Sequence, residues 1–526
     1  MSPSASIAAI AALGLALSAC GETPLQEEPD ASPGRAGPAV LDFGGDVFLA
    51  RFAHPPVDEH GYAYPFEAIR DLLDASDLAL LNLEAVVSSR GRATPKQGET
   101  SSYLFRGRPD MLRVLTEAGV DVVNGANNHS GDYGPEALRE QMELFERAGI
   151  AYVGIGRDRE DARRYRLLEA NGLAVALIGA DMTTPEFAAV DEAGTSWLDE
   201  ADPDHAVAVV GDQVRRARAE ADVVLLTVHW GPNLAPRPTE ARRELAARLV
   251  LEAGIDGILG HSAHVVQGME IIDGKPVIYD AGNAMLDYDG DGWTHKSALF
   301  RLVMTDAGIE SVELLPIRLH HTRTEPADAQ TSDEILARFE ELSREFDPEF
   351  SLDDGRIDLG PRGRAPARRR APTFERSTPA DVPAKGEIVP NTVIDRLPDD
   401  VVERSHHFEN GVTFLGHRPL PDSARQGHGF FVTSYWTTDR AIDESLLVRV
   451  RLRPRDGEGP VWGNGDTYRD HHPGDWSYPT TLWEPGEIIE DRYFVRGHRD
   501  ASRQDHELSL GLSSGGEVYL GDILIE

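Results

Sequence analysis

From residue 38 the chain is punctuated by short β-rich runs: Val40–Phe43, Leu78–Leu81, Val120–Val123, Leu173–Ile178, Val223–Val228, Ile255–Leu259 and Val277–Tyr279. Helical patterns lie between several of them. Pro135-Glu136-Ala137-Leu138 opens one, with Leu138, Met142 and Phe145 on one face and Gly149 closing it. Proline is favoured in the first helical turn and glycine just past the last. Asp110–Ala118 and Thr239–Ala253 behave similarly. This alternation predicts an α/β domain over residues 38–325 with a parallel or mixed sheet. In such folds, sites gather at the carboxyl ends of strands.

The texture changes further on. Ser332–Phe346 has the spacing of an amphipathic helix, and Gly360 to Pro390 is rich in Pro, Arg and Ala. Residues 326–392 therefore read as a helix followed by a linker. From residue 393 to 526 the strand-like segments are short and separated by turn residues: Val412–Leu415, Phe430–Trp436, Leu446–Leu452, Tyr493–Val495, Glu507–Leu512 and Val518–Leu520. That pattern predicts an all-β, jelly-roll-like sandwich. The expected fold class is thus an α/β sandwich domain followed by an all-β sandwich.

The N-terminus carries a different signal. Ile7–Ala19 is apolar but too short to span a bilayer, and it ends in Leu17-Ser18-Ala19-Cys20 before Gly21. This resembles the lipobox of bacterial lipoproteins. It implies a signal peptide over 1–20, lipidation at Cys20, a polar tether over 21–37 and a lipid-anchored location in the cell envelope. An ordinary signal peptide is the alternative. No other stretch reaches about 18 uninterrupted apolar residues, so no other membrane span is expected.

Charge narrows the partners. Acidic residues outnumber basic ones 89 to 52, for a net charge of −37. That balance works against non-specific binding of nucleic acid or anionic lipid by the whole chain. A polyanionic substrate would need a local cation to reverse the field. One cysteine excludes a disulfide framework and a thiolate zinc cluster.

Polar clusters terminate five of the strand candidates. Gly44-Gly45-Asp46 follows the first, and Asn82-Leu83-Glu84 the second. Asn127-Asn128-His129 and Asp132-Tyr133-Gly134 follow the third, His229-Trp230-Gly231 another, and Gly260-His261 with His264 the next. Imidazole, amide and carboxylate at one rim form a ligand set for Zn, Mn or Fe. Two such ions about 3.5–4 Å apart make a hydrolytic site. Each residue alone has a plainer reading as a turn cap or a hydrogen-bonded structural group. Their joint occurrence favours the metal site.

Taken in order, GGDVFLAR (44–51), NLE (82–84), NNHSGDYG (127–134), HWG (229–231), GHSAHVVQG (260–268) and Tyr279-Asp280-Ala281-Gly282-Asn283 resemble the motifs of the bacterial capsule-synthesis protein CapA family. That family is named for poly-γ-glutamate capsule formation and is similar to calcineurin-like metallophosphoesterases. The resemblance covers roughly 38–320. It implies a metallophosphoesterase-like fold holding one or two divalent ions (Mn, Fe or Zn). Asp46, Glu84, Asn128, His229, His261 and His264 would be ligands, with Glu84 where such enzymes place a bridging carboxylate. His129 would be the proton donor or transition-state stabiliser, with Asp132 beside it as a second catalytic residue. The implied partner is an anionic capsule polymer or its precursor. Departures from the pattern are Phe48, where metallophosphoesterases carry a histidine, Asn233 for a common glutamate, and Ser262 and Ala263 for His and Pro. A non-catalytic lipoprotein scaffold that binds the polymer or assembly partners is the rival reading.

Weaker signals remain. Asp287-Tyr288-Asp289-Gly290-Asp291-Gly292 starts like a calcium loop, but Ala298 stands where its twelfth-position carboxylate belongs, so a plain loop is expected. Trp476, Tyr478 and Trp483 could stack on sugar, giving the sandwich a carbohydrate contact, or could be core aromatics. Asp470, His471, His472 and Asp475 could bind a metal.

Overall fold

The strands that carry the polar clusters run past the ends of their apolar cores. In the computed structural model they are β1 (Ala39–Val47), β2 (Leu78–Leu83), β3 (Val122–Asn124), β4 (Leu173–Asp181), β5 (Val223–His229), β6 (Gly257–His261) and β7 (Asn283–Met285). The structure describes residues 37–96, 103–360, 381–457, 470–495 and 501–526. The proposed signal peptide with Cys20, the tether up to residue 36 and the arginine-rich stretch 361–380 lie outside these.

β1, β2 and β3 pair in parallel within a nine-stranded mixed sheet, with β7 parallel to β1. β4, β5 and β6 pair in parallel in a six-stranded sheet. One apolar core contains Phe43, Leu80, Val122 and Phe300 of the first sheet together with Leu177, Leu225 and Leu259 of the second, so the sheets pack on each other. The outer face of the first is covered by helices Leu112–Ala118 and Gly134–Ala148. That of the second is covered by Pro203–Ala217 and Glu240–Arg248. The layers run helix, sheet, sheet, helix, as alternating strands and helices require.

Register sets the rims. Asp46 pairs with Asn82 on one side and Asn283 on the other, and Asn82 pairs with Asn124. In the second sheet His229 pairs with both Asp181 and His261. Each sheet therefore ends in a polar row. The first row is re-aimed by a bulge, since the β1 register slips between Phe43 and Asp46. Gly45 permits it: a Cβ there would lie 1.8 Å from the Gly282 carbonyl oxygen, which accepts the Asp46 N–H.

Residues from 393 build a five-stranded and a four-stranded sheet around one core containing Phe414, Trp436, Leu452, Leu508 and Ile523. Trp476, Tyr478 and Trp483 are buried. The segment that follows the undescribed stretch packs on the α/β body. Val382 enters its core, Lys385 pairs with Asp58, and the Asn391 N–H donates to Ser89. Among the described residues no helix is long and apolar enough to cross a membrane.

The sandwich meets the α/β body through the turn 473–478. Trp476 packs edge-on against Phe52, the Tyr133 hydroxyl donates to Asp475 Oδ1 at 3.3 Å, and Arg492 donates to the Ala93 carbonyl at 2.7 Å. Asp475 and Trp476 both hold positive φ, of 58° and 70°. Burial pushes the Asp475 carboxyl up to about 6, with Arg106 opposing and Asp491 adding to the rise. A native carboxyl with a raised pKa costs stability once pH passes its unfolded value near 4, and the full cost applies above about 6. Asparagine suits left-handed backbone and keeps an acceptor for Tyr133. Asp475→Asn is therefore expected to stabilise the protein at pH 8 by up to about 3 kcal/mol and to change little at pH 4. Urea unfolding of both proteins at the two pH values checks this. Equal destabilisation at both would refute the buried-charge cost.

Candidate metal centre

The two polar rows face each other across the sheet interface. Asn82 Nδ2 donates to Asp46 Oδ1 at 2.7 Å and lies 3.4 Å from His229 Nδ1. Among the described residues two groups have metal-ligand spacing: Asp46, His229 and His261, and Asp46, Glu84 and His264. In the first, the two Nδ1 atoms are 2.9 Å apart and each is 3.9 Å from Asp46 Oδ1. Those edges bracket the separation of about 3.4 Å that tetrahedral 2.1 Å bonds impose. In the second, His264 Nδ1 is 3.0 Å from Asp46 Oδ2 and 3.8 Å from Glu84 Oε2. Asp46 thus offers one oxygen to each group. The shared carboxylate is Asp46, at the end of β1, while Glu84 stands in one group only.

The donor set has the condition a cation requires. Among the described residues, both Glu84 oxygens are buried without a hydrogen-bond donor, and so is Asn128 Oδ1. Burial, then the charge of Asp46, pushes Glu84 well above the usual carboxylate range. A divalent cation would let both carboxylates ionise together. For Asp46 itself, burial works upward, but the hydrogen bond from His264 and the charges of the three histidines hold it at about 2. Burial keeps His229 well below its ordinary value and His261 at about 4, so both imidazoles are neutral near pH 7 with lone pairs free to ligate.

The loop after β6 is strained. Ser262 and His264 hold φ of 121° and 59°, in the region L-residues avoid. Asp280 clamps this loop, accepting from Ala263 N–H at 2.6 Å and Gly282 N–H at 2.8 Å. His264 Nδ1 also lies 3.1 Å from Asn283 Oδ1. Phe48, at the expected histidine position, is buried with its ring 5.6 Å from that of His264.

His129 Nδ1 meets Asp132 Oδ2 at 2.6 Å, and its Nε2 lies 3.8 Å from Glu84 Oε1. The same Asp132 oxygen accepts the Phe105 N–H at 2.7 Å. An ionised carboxylate there accepts the Nδ1–H hydrogen bond and leaves Nε2 toward the centre. Burial, then the charges of Lys96 and Arg51, keeps His129 well below its ordinary value.

The structure brings Asp46, Glu84, His129, Asp132, His229, His261 and His264 together. Sequence reasoning passed over Asn82, Asp181, Asp280 and Asn283 as site residues. Asp181 ends β4 beside His229, so the strand-end rule would have found it. Asp287 is taken by Arg51 in a two-point pair at 2.9 and 3.0 Å, which leaves the 287–292 segment a plain loop. In the sandwich, Asp470 pairs with Arg449 and Arg451, His471 with Asp491, and His472 with Ser445. They form no metal-ligand group among the described residues.

The α/β body matches known proteins. A family model described as bacterial capsule synthesis protein PGA_cap matches residues 40–288. Over 287 residues the chain is 31% identical to a probable polyglutamine synthesis accessory protein of Mycobacterium tuberculosis, covering 52% of this chain and 74% of that one. The chain belongs to this capsule synthesis protein family. It is also 27% identical over 320 residues to the PGA biosynthesis protein CapA of Bacillus subtilis, covering 60% of this chain and 80% of the relative. Its identity to the capsule biosynthesis protein CapA of Bacillus anthracis is 26% over 286 residues, covering 54% and 68%. The family match ends before the sandwich.

Proposed function

We propose that this protein acts at the bacterial cell envelope in the synthesis or processing of a capsule polymer of the poly-γ-glutamate type, by metal-dependent hydrolysis of a phosphoester or amide bond. The relatives' names supply the polymer. The observation that carries the hydrolysis is the pair of ligand groups sharing Asp46, next to a Glu84 carboxylate with no donor. The facing sheets with ligands at strand ends support the metallophosphoesterase-like reading. Asp46, His229 and His261 would hold one ion, and Asp46, Glu84 and His264 another, with Mn, Fe or Zn suited to that donor set. A divalent ion bound there would acidify a water and polarise the scissile group.

The chain's own residues supply the rest. Asp132 orients His129 and stabilises its protonated form. His129, protonated at Nε2, gives that proton to the leaving group as its bond breaks. Phe105 packs 4.0 Å from the His129 ring and shields it from water. His129→Gln should keep the metal content of the parent while lowering kcat about 10²–10⁴-fold. The assay is hydrolysis of phosphodiesters and γ-glutamyl peptides by metal-loaded protein, with elemental analysis alongside. Full turnover by the variant would remove His129 from the reaction. A parent protein that holds metal and hydrolyses neither class would favour the scaffold reading, to which Phe48 in place of a ligand also points.

A further inference from the structure

Lys96 is 7% exposed, and no described residue forms a hydrogen bond or ion pair with its ammonium group. Buried lysines are almost always paired, because an unpaired ammonium out of water is costly. Its backbone is anchored at the centre: two residues earlier the Thr94 N–H donates to the Asp132 carbonyl at 2.7 Å, and the Arg92 N–H donates to that of Tyr133. Its charge acts on Glu84, His129, Asp181 and His229, which come from four separate elements. Lys96 is therefore a covered lysine on a segment tied to Asp132 and Tyr133, its charge is felt at the metal centre, and no described residue pairs with it.

The neighbouring cation is already committed. Arg51 is closed by its two-point pair with Asp287, and its guanidinium stacks 4.0 Å above Phe105. The centre is otherwise rich in carboxylates, with Asp46, Glu84, Asp132, Asp181 and Asp280 all buried, in a chain of net charge −37. An anionic substrate meets a hostile field here unless cations receive it, whether bound metal ions or a fixed ammonium.

We propose that Lys96 is a substrate-binding residue whose ammonium receives an oxyanion of the substrate, a phosphate or a carboxylate adjoining the bond to be cleaved. This rests on the hydrolase reading for which bond is broken, but the binding itself does not.

The test is calorimetric titration of the metal-loaded full-length protein with inorganic phosphate and, separately, with γ-glutamylglutamate, for the parent, Lys96→Met and Lys96→Arg. The parent is expected to bind at least one probe. Lys96→Met should weaken that binding about tenfold or more, the scale of a charge-assisted hydrogen bond, while Lys96→Arg keeps most of it and metal content is equal in all three. Phosphate alone identifies a phosphoester substrate, and the dipeptide alone a glutamyl polymer. Both binding through Lys96 identifies a general oxyanion site. A parent that binds neither probe overturns the proposal, as does a Met variant that binds as tightly as the parent. Metal loss in the Met variant also overturns it, by making Lys96 a counter-charge to the ligands. If oxyanion binding depends on Lys96 but no substrate is turned over, the hydrolase reading fails and this one stands.

Discussion

Asp46→Asn is expected to empty the whole centre, whereas His261→Ala and His264→Ala each remove a single ion. The reason is geometric. Asp46 Oδ1 faces His229 and His261, and Asp46 Oδ2 faces His264, so one side chain serves both ligand groups. Asparagine keeps the shape and the contact with Asn82 but removes the charge held at about 2 by its imidazole neighbours. His261→Ala leaves two ligands in its group and the Glu84 set intact. His264→Ala does the converse. Elemental analysis after loading with Mn, Fe or Zn should therefore read two equivalents for the parent, none for Asp46→Asn and one for each histidine variant, with circular dichroism confirming the fold. An Asp46→Asn protein that still holds two equivalents would remove the shared-carboxylate arrangement.

The largest expected loss of stability is at Arg108, which touches none of the candidate metal ligands. This side chain is 2% exposed and forks between two acids. It donates to Asp110 at 3.1 Å through both Nε and Nη2, and to Asp58 at 3.1 and 2.5 Å through Nη1 and Nη2. Tyr62 donates to Asp110 and Lys385 pairs with Asp58, so the cluster ties the first helix to the segment leading into the sandwich. Arg108→Met leaves these carboxylates in a buried site without their main counter-charge, at a cost of about 3–5 kcal/mol. The pH dependence has a definite sign. Burial works upward on Asp58, but the charge and hydrogen bonds of Arg108, then Lys385, hold it below its ordinary value. A lowered native carboxyl stabilises above its unfolded pKa and loses that contribution as pH falls through its native one. Without Arg108, protonation instead relieves the burial cost. The gap between parent and variant should therefore be widest near pH 7 and narrow toward pH 4. Thermal unfolding across that range measures it, and a gap independent of pH would show that lost packing, not charge, is the cause.

Local pattern carried far into this molecule. The apolar runs marked β1 to β6 because strands announce themselves over five or six residues. Each polar cluster fell at a strand end or in the loop just beyond it, where a sheet leaves side chains pointing at solvent or ligand. Asp46, Glu84, His129, His229, His261 and His264 were all legible on that rule. The runs nevertheless stopped short. Asn82, Asp181 and His229 lie inside strands that propensity alone would have ended earlier, since a polar residue in a ladder is held by its neighbours' hydrogen bonds and not by its own preference.

What the sequence by itself determined is the order of elements, the class of the α/β body and most of the candidate chemistry-bearing residues, because all three depend on neighbours within a turn or a strand. Tertiary structure alone decided which carboxylate is shared, since Asp46 and His264 meet at 3.0 Å across 218 residues of chain. It also decided that Trp476 packs on Phe52 inside the protein, and that Lys96, covered and paired with no described residue, acts by its charge on Glu84 and His229. Contacts between distant segments follow from how two sheets stack and which bulge re-aims a strand, and no local periodicity encodes either.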